Sequence, residues 1–447
     1  MSIIRSRRFL VLLVVAAVVG LVVSFAAWGF LELVHQIQTG VFTDLPKDLG
    51  YDNGAPMWWY LLTLGVAGGL TAFAIVSLPG IGGHLPAKGL QASGFTKPIE
   101  LPGVLLAAFA GIGLGVVLGP EAPLIALGGG LAVLTLGLIR KDSPPQLQTV
   151  VAAAGTFAAL SMIFESPLIA AVILIEATGL GGPKLSLVLL PGLLAAGIGS
   201  LVSIGMGSWT GLSTKAYALP ALSLPAFDRP DLADFAWTIP FAIAIAVVAF
   251  VIFELARRLV PLESSRPFLI LPVAGLVVAG LGIAFHEAAD HGVGEVLFSG
   301  QSALGSLVSN PGAWSLSALA LLVLFKGLAY SISLAGFRGG PIFPSLFLGA
   351  AGGLMAAKLP GYSLTPAVAV GLAAAVAAVL RLPLAAIVLA TLLTASAGAG
   401  ATPLVVVGAV VAYLTSVLLF APPGAETASE PEAQAAEGPS PVTAQGA

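Results

Sequence analysis

The sequence predicts an all-α polytopic membrane protein, made of two related helical halves whose broken helices meet at a central site. Three observations carry that prediction. Of the 447 residues, 58% are hydrophobic and only 9% charged, whereas a soluble globular chain is about a quarter charged. Apolar stretches of the ~20 residues that a spanning helix requires recur almost end to end. A Gly/Pro pattern around Pro120 returns around Pro341.

Residues 1–8 form a basic N-terminus, in which Arg5, Arg7 and Arg8 hold the start of the chain in the cytoplasm. The apolar run from Phe9 to Phe30 is long for a signal-peptide core and lacks a small-residue cleavage site, so it reads as the first membrane helix. Further runs cover 57–78, 101–139, 147–180, 184–206, 235–256, 267–285, 312–335, 341–357 and 363–420. Several exceed one crossing and must break, at Gly119-Pro120, Ser166-Pro167, Gly339-Gly340-Pro341 and Leu382-Pro383. Irregular backbone at membrane depth persists only where protein buries it or a cavity hydrates it, so these breaks are where function is expected. The organisation expected is a first membrane half over 9–207, a polar Pro-rich linker over 208–234, a second half over 235–421 and an acidic disordered tail over 422–447. No soluble regulatory domain is expected.

Composition narrows the chemistry. Cysteine is absent, which removes disulfide frameworks, thiolate nucleophiles and Cys-ligated metals. No cofactor or metal is expected, and no basic excess suits a nucleic acid. The net charge of −3 comes from Glu426, Glu430, Glu432 and Glu437 in the tail; residues 1–425 carry 18 bases against 17 acids.

The repeat can be read letter by letter. Gly119-Pro-Glu-Ala-Pro123 with Gly128 parallels Gly340-Pro-Ile-Phe-Pro344 with Gly349, and the Pro167 segment parallels the Pro383 segment. Gly/Ala-rich membrane helices resemble one another by composition alone, but two aligned Pro landmarks per half make that the weaker account. Interrupted helices in corresponding positions point to a transport site at the repeat interface. A helix N-terminus offers unpaired N–H groups and the positive end of the macrodipole. Gly119, Pro120, Gly340, Pro341, Ile342 and Phe343 are therefore candidate anion-binding positions, and the Pro79–Pro86 loop is a weaker third. Glu121 is the only charge between Leu101 and Ile139, a costly position that is usually functional. Its carboxylate could itself fill the anion site and act as a gate; the plain alternative is an acid stabilising a helix start.

These residues resemble the CLC family of chloride channels and proton/chloride antiporters over roughly residues 10–420. The counterparts of the family's three anion-pathway loops are Gly82-Gly-His-Leu-Pro86, Gly119-Pro-Glu-Ala-Pro123 and Gly340-Pro-Ile-Phe-Pro344. The resemblance implies two inverted halves around a central anion pathway, a chloride-like substrate, Glu121 as gate, and an integral protein of the plasma (inner) membrane. It also implies a homodimer, with contacts near 184–206 and 383–420.

The sequence departs from the family in ways that bear on mechanism. Gly83 stands at the family's central serine, so no hydroxyl can donate there; His84 replaces a glycine, and either donates to the anion or caps its loop. The antiporters' internal glutamate falls on Ala177, leaving Glu176 and Glu165 as possible members of a proton path. The family's pore tyrosine belongs to a last helix for which no counterpart is read after Phe420, so no Tyr is assigned. A passive anion channel gated by Glu121 is the expectation, with a proton-coupled antiporter as the alternative. An intramembrane enzyme using Glu121 and Glu176 is weaker, since nothing in the spacing joins them on one substrate. His286-Glu-Ala-Ala-Asp-His291 has its second His at i+5, off the face a zinc site needs, and reads as a loop pair.

Overall fold

The computed structural model describes residues 6–89, 95–179, 183–212, 219 and 221–420, and within these every regular element is helical. The first half runs α1 (Arg7–Thr39), the short α2 (Leu45–Asp48), α3 (Met57–Ser77), α4 (Leu101–Gly113), α5 (Glu121–Ile139), α6 (Pro145–Phe164), α7 (Pro167–Thr178) and α8 (Pro183–Thr210). The second runs α9 (Leu232–Ser265), α10 (Pro267–Ala289), α11 (Gln301–Ser309), α12 (Leu316–Gly336), α13 (Ile342–Ala356), α14 (Leu364–Leu380), α15 (Pro383–Leu393) and α16 (Thr402–Phe420). The tail from 422 and residues 1–5 lie outside the described residues.

All four expected breaks are present. The 101–139 run stops at Gly113 and restarts at Glu121, and the 341–357 run begins its helix at Ile342. At 13 and 15 residues, α4 and α13 are ~20 Å long, short of the ~30 Å hydrocarbon core. Such helices end inside the membrane, which is how the breaks come to lie at depth. The other two breaks use one device twice: Glu165 (φ 48°) and Arg381 (φ 56°) close α6 and α14 in the left-handed region, and a Pro two residues on starts the next helix. The 363–420 run accordingly divides into three helices.

The repeat is also a packing repeat. In the first half α6 packs on α1, α5 and α8; in the second, α14 packs on α9, α13 and α16. The glycines that marked the repeat are the crossing points. A Cβ on Gly128 would sit 2.6 Å from the Gly155 carbonyl oxygen, and Gly349 meets Gly371 in the same way. Without a hydrophobic drive between helices in lipid, such close backbone contact supplies the packing.

Contacts also fix the sidedness. Gln38 near the end of α1 donates to Ile112 near the end of α4, so those helices are parallel. The start of α4 therefore shares a face with Arg7 and Arg8. Leu101 packs on Gly130, bringing the C-terminal half of α5, and Arg140 beyond it, toward the same face. Arg257 and Arg381 both lie over the Phe420 ring, at 5.4 and 4.4 Å. The end of the first half carrying Arg7, Arg8, Arg140 and Lys141 and the end of the second carrying Arg257, Arg258, Arg266 and Arg381 are each cytoplasmic by the positive-inside rule.

Candidate functional site

The two central breaks meet. Gly119 N–H donates to the Gly340 carbonyl at 2.8 Å and Gly340 N–H returns the bond at 2.6 Å, an isolated antiparallel bridge between the halves. It sets the N-termini of α5 and α13 against each other. Glu121, first residue of α5 and 0% exposed, sends its carboxylate across the bridge, where Oε1 accepts from Phe343 N–H at 3.0 Å. A side chain of the first half thus lies on the positive end of a helix of the second. Cβ atoms on Gly119 or Gly340 would overlap that carboxylate, so both positions must be glycine for it to sit there. Oε2 is buried without a hydrogen-bond partner.

Gly119, Pro120, Gly340, Pro341, Ile342 and Phe343 are therefore assembled around Glu121. The remaining sequence candidates lie elsewhere. Gly83 and His84 wall a cytoplasmic cavity of about 390 Å³, together with Ala122, Pro123, Thr156 and Arg338. Gly83 has φ +100° and its Cβ position lies 3.3 Å from Val104, so the backbone of this loop disfavours the serine expected there. The His84 ring bonds the Gly89 carbonyl through Nε2 at 2.6 Å, which is the loop-capping alternative. Burial pushes its pKa below the ordinary histidine value, against the Gly89 bond.

Glu176 caps a helix. Its two oxygens accept from Leu384 N–H at 2.9 Å and Ala385 N–H at 2.7 Å, tying α7 to the N-terminus of α15. Glu165 is exposed in the turn after α6. Neither is placed beside Glu121. Glu176→Ala should lower thermal stability by about 1 kcal/mol, the scale of a lost N-terminal cap, and leave ion flux in liposomes unchanged. A change in flux without a loss of stability would give Glu176 a role beyond the cap. The His286/His291 pair is a loop clasp, with His286 Nδ1 2.8 Å from the His291 carbonyl and the His291 ring stacked on Trp314.

Of three further residues around the site, Tyr330 and Ser333 lay outside the sequence reading, and Lys326 was legible there only as added positive charge in the second half. Tyr330, 1% exposed, donates its hydroxyl to the Pro341 carbonyl at 2.7 Å. Ser333 Oγ accepts from Val117 N–H at 3.3 Å. Lys326 Nζ lies 2.9–3.3 Å from the carbonyl oxygens of Glu295, Val296, Leu297 and Phe298, which share its three N–H donors, beneath the Phe347 ring. Lys326, Tyr330 and Ser333 are spaced i, i+4, i+7, one polar stripe on α12, whose other polar residues are Ser317 and Ser331. That stripe was the available signal. A second cavity, about 490 Å³ and walled by apolar groups such as Phe241, Ile245 and Leu348, reaches Tyr330 from the outer side. Tyr330→Phe leaves the Pro341 carbonyl unpaired, at a cost of about 1–3 kcal/mol. Melting should fall by that amount and anion flux should slow; unchanged values for both would remove Tyr330 from the site.

Residues 84–417 match the family model described as Voltage gated chloride channel. The YfeO proteins of Escherichia fergusonii and Escherichia coli K12/DH10B, which carry an ion-transport description, are 31% identical over 360 residues, 78% of this chain and 80% of theirs. Among solved structures, a slow cyanobacterial Cl−/H+ antiporter is similar with a TM-score of 0.71 at 20% identity, covering 92% of this chain and 95% of that one. A CLC-type fluoride/proton antiporter gives 0.68 at 18% identity, covering 91% and 95%.

Proposed function

The chain belongs to the voltage-gated chloride channel (CLC) family, whose members transport anions, and from that premise we propose that it exchanges a small anion for protons, with Glu121 as both gate and proton carrier. The observation that carries the reading is the Glu121 carboxylate on the Phe343 N–H, in the place a dehydrated anion would take. Carboxylate and anion compete for one positive site. An arriving anion displaces Glu121, and a displaced carboxylate holds its place at least cost once it has taken a proton. Anion occupancy and protonation are then linked, and movement of one drives the other.

Passive conduction, the expectation from sequence, rests on Ala177 and Gly83. The two similar antiporter structures favour exchange instead. The anion is chloride or fluoride, one named by each of those structures. As a homodimer, the protein would join through α8 and α16, whose Leu190, Leu194, Leu201, Val406, Val410 and Leu414 are exposed apolar groups.

The test is reconstitution of the full chain in liposomes, with chloride or fluoride gradients and an external pH electrode. An anion gradient should drive protons uphill. Anion flux without proton movement would leave the channel reading, and no flux of either anion at any pH or voltage would end the transport reading.

A further inference from the structure

The last turn of α9 turns one acid inward where solvent was on offer. Residues 261–266 are exposed except Glu263, which is 4% exposed although even its neighbour Leu262 faces outward. Glu263 Oε2 is buried without a hydrogen-bond partner. It lies against the backbone of Gly336, where any Cβ would overlap it, with Leu271 closing the wall. Arg257, Arg258 and Arg266 on the same stretch place this turn at the cytoplasmic face.

Two elements packed here bring charge. The α12–α13 connection presents Arg338, and the turn Pro86–Lys88, which packs on α9 and α12, carries Lys88 and follows His84. Only Arg338 acts directly on the Glu263 carboxylate. Yet among the described residues the acid–base pairs within 4.0 Å are those of Glu254 with Arg257 and Arg258. Arg338 spends its Nη1 on the carbonyls of Gly336 and Phe337, at 2.8 and 3.2 Å, and its Nε on Ile81. A buried carboxylate more than 4.0 Å from a guanidinium that turns its Nη1 and Nε to backbone carbonyls is poorly explained as half of an ion pair. Arg338 also walls the cytoplasmic cavity whose lining includes Ala122 and Pro123, next to Glu121. At about 390 Å³ that cavity has room for several waters of ~30 Å³ each.

We propose that Glu263 is the cytoplasmic proton-transfer residue of the exchanger: it takes a proton from cytoplasmic water and passes it through the Arg338 cavity to the Glu121 carboxylate. Glu263 returns to its ionised form and Glu121 becomes neutral; no other group changes. The proposal rests on the exchange reading above. The competing role is a counter-charge for Arg338, which would need the negative charge permanently.

The experiment is Glu263→Gln in the full chain, with anion efflux and proton uptake recorded in the same liposomes beside wild type. Proton uptake should fall roughly 100-fold, the scale a positioned acid supplies, with anion efflux kept within about twofold. If anion efflux and folded yield fall together while the remaining transport keeps its wild-type stoichiometry, Glu263 is a counter-charge and the proposal is overturned. Wild type that moves anions but no protons overturns the exchange reading, and this proposal with it. Where the Gln variant does not fold, wild type is treated with a hydrophobic carbodiimide, which adds to protonated carboxyls in apolar surroundings. Peptide mapping should find the adduct on Glu263 with proton uptake lost. An adduct on Glu121 alone overturns the proposal.

Discussion

Glu121→Gln and Glu121→Ala are expected to abolish proton coupling while leaving anion flux in place and insensitive to pH. The carboxylate holds the Phe343 N–H at the start of α13, and without its charge no side-chain anion competes for that site. Gln keeps the shape of the protonated side chain but carries no exchangeable charge; Ala also empties the space between Gly119 and Gly340. Anion flux through Ala should therefore equal or exceed that through Gln. Proton uptake should drop by about two orders of magnitude or more in both, the contribution of a positioned acid–base group. Liposome efflux recorded with a pH electrode across pH 4.5 to 7.5, a window of roughly three units upward from the ordinary glutamate value, checks both parts. Coupling that survives in a folded Gln variant would mean that Glu121 only stabilises its helix start, the plain alternative weighed from sequence.

Why Glu121 was legible and its neighbours were not follows from the range of the interactions. A single charge in a run of 39 residues, Leu101 to Ile139, announces itself because nothing local explains it. The breaks were legible because Gly and Pro act on the backbone locally, and Gly128 and Gly349 because a repeat shows which glycines are kept in register. By contrast, Glu121 and Phe343 are 222 residues apart, and no spacing rule predicts their bond; it needed the two bridged glycines to bring the halves together. Glu263 was hidden for the opposite reason. At the end of a helix, among Arg257, Arg258 and Arg266, an acid looks like an ordinary interfacial residue, and only the inward turn over Gly336 says otherwise. The bonds of Glu176 were not legible either, since an acid near the end of an apolar helix suits both a proton path and a cap, and Leu384 and Ala385, which supply the N–H groups, are more than 200 residues away.

Lys326→Met is expected to be the most damaging substitution outside the anion site. Lys326 is 0% exposed, and its Nζ gathers four consecutive carbonyls, from Glu295 to Phe298. This segment has little regular structure to satisfy it, and Phe298 is held at φ 58°, a left-handed conformation costly for an aromatic residue. The next link runs to the site: Phe298 N–H donates to the Gly115 carbonyl at 3.0 Å, and Gly115 belongs to the connection that leads to Gly119 and Glu121. Met fills similar volume but donates nothing, and each buried carbonyl left unpaired costs about 1–3 kcal/mol. With three N–H groups shared among the four carbonyls, three such losses already approach the 5–15 kcal/mol by which a typical domain is stable. Monodisperse protein in detergent should therefore be lost or its melting strongly lowered. Lys326→Arg should not restore it, because a planar guanidinium cannot converge on four carbonyls as a compact ammonium does. The decisive comparison is Lys326→Ala with and without n-butylammonium, a free cation of the missing length. Recovery of melting and of anion flux with butylammonium, and none with n-butanol, would identify the cage as a site for a positive charge; equal recovery with both would reduce Lys326 to packing.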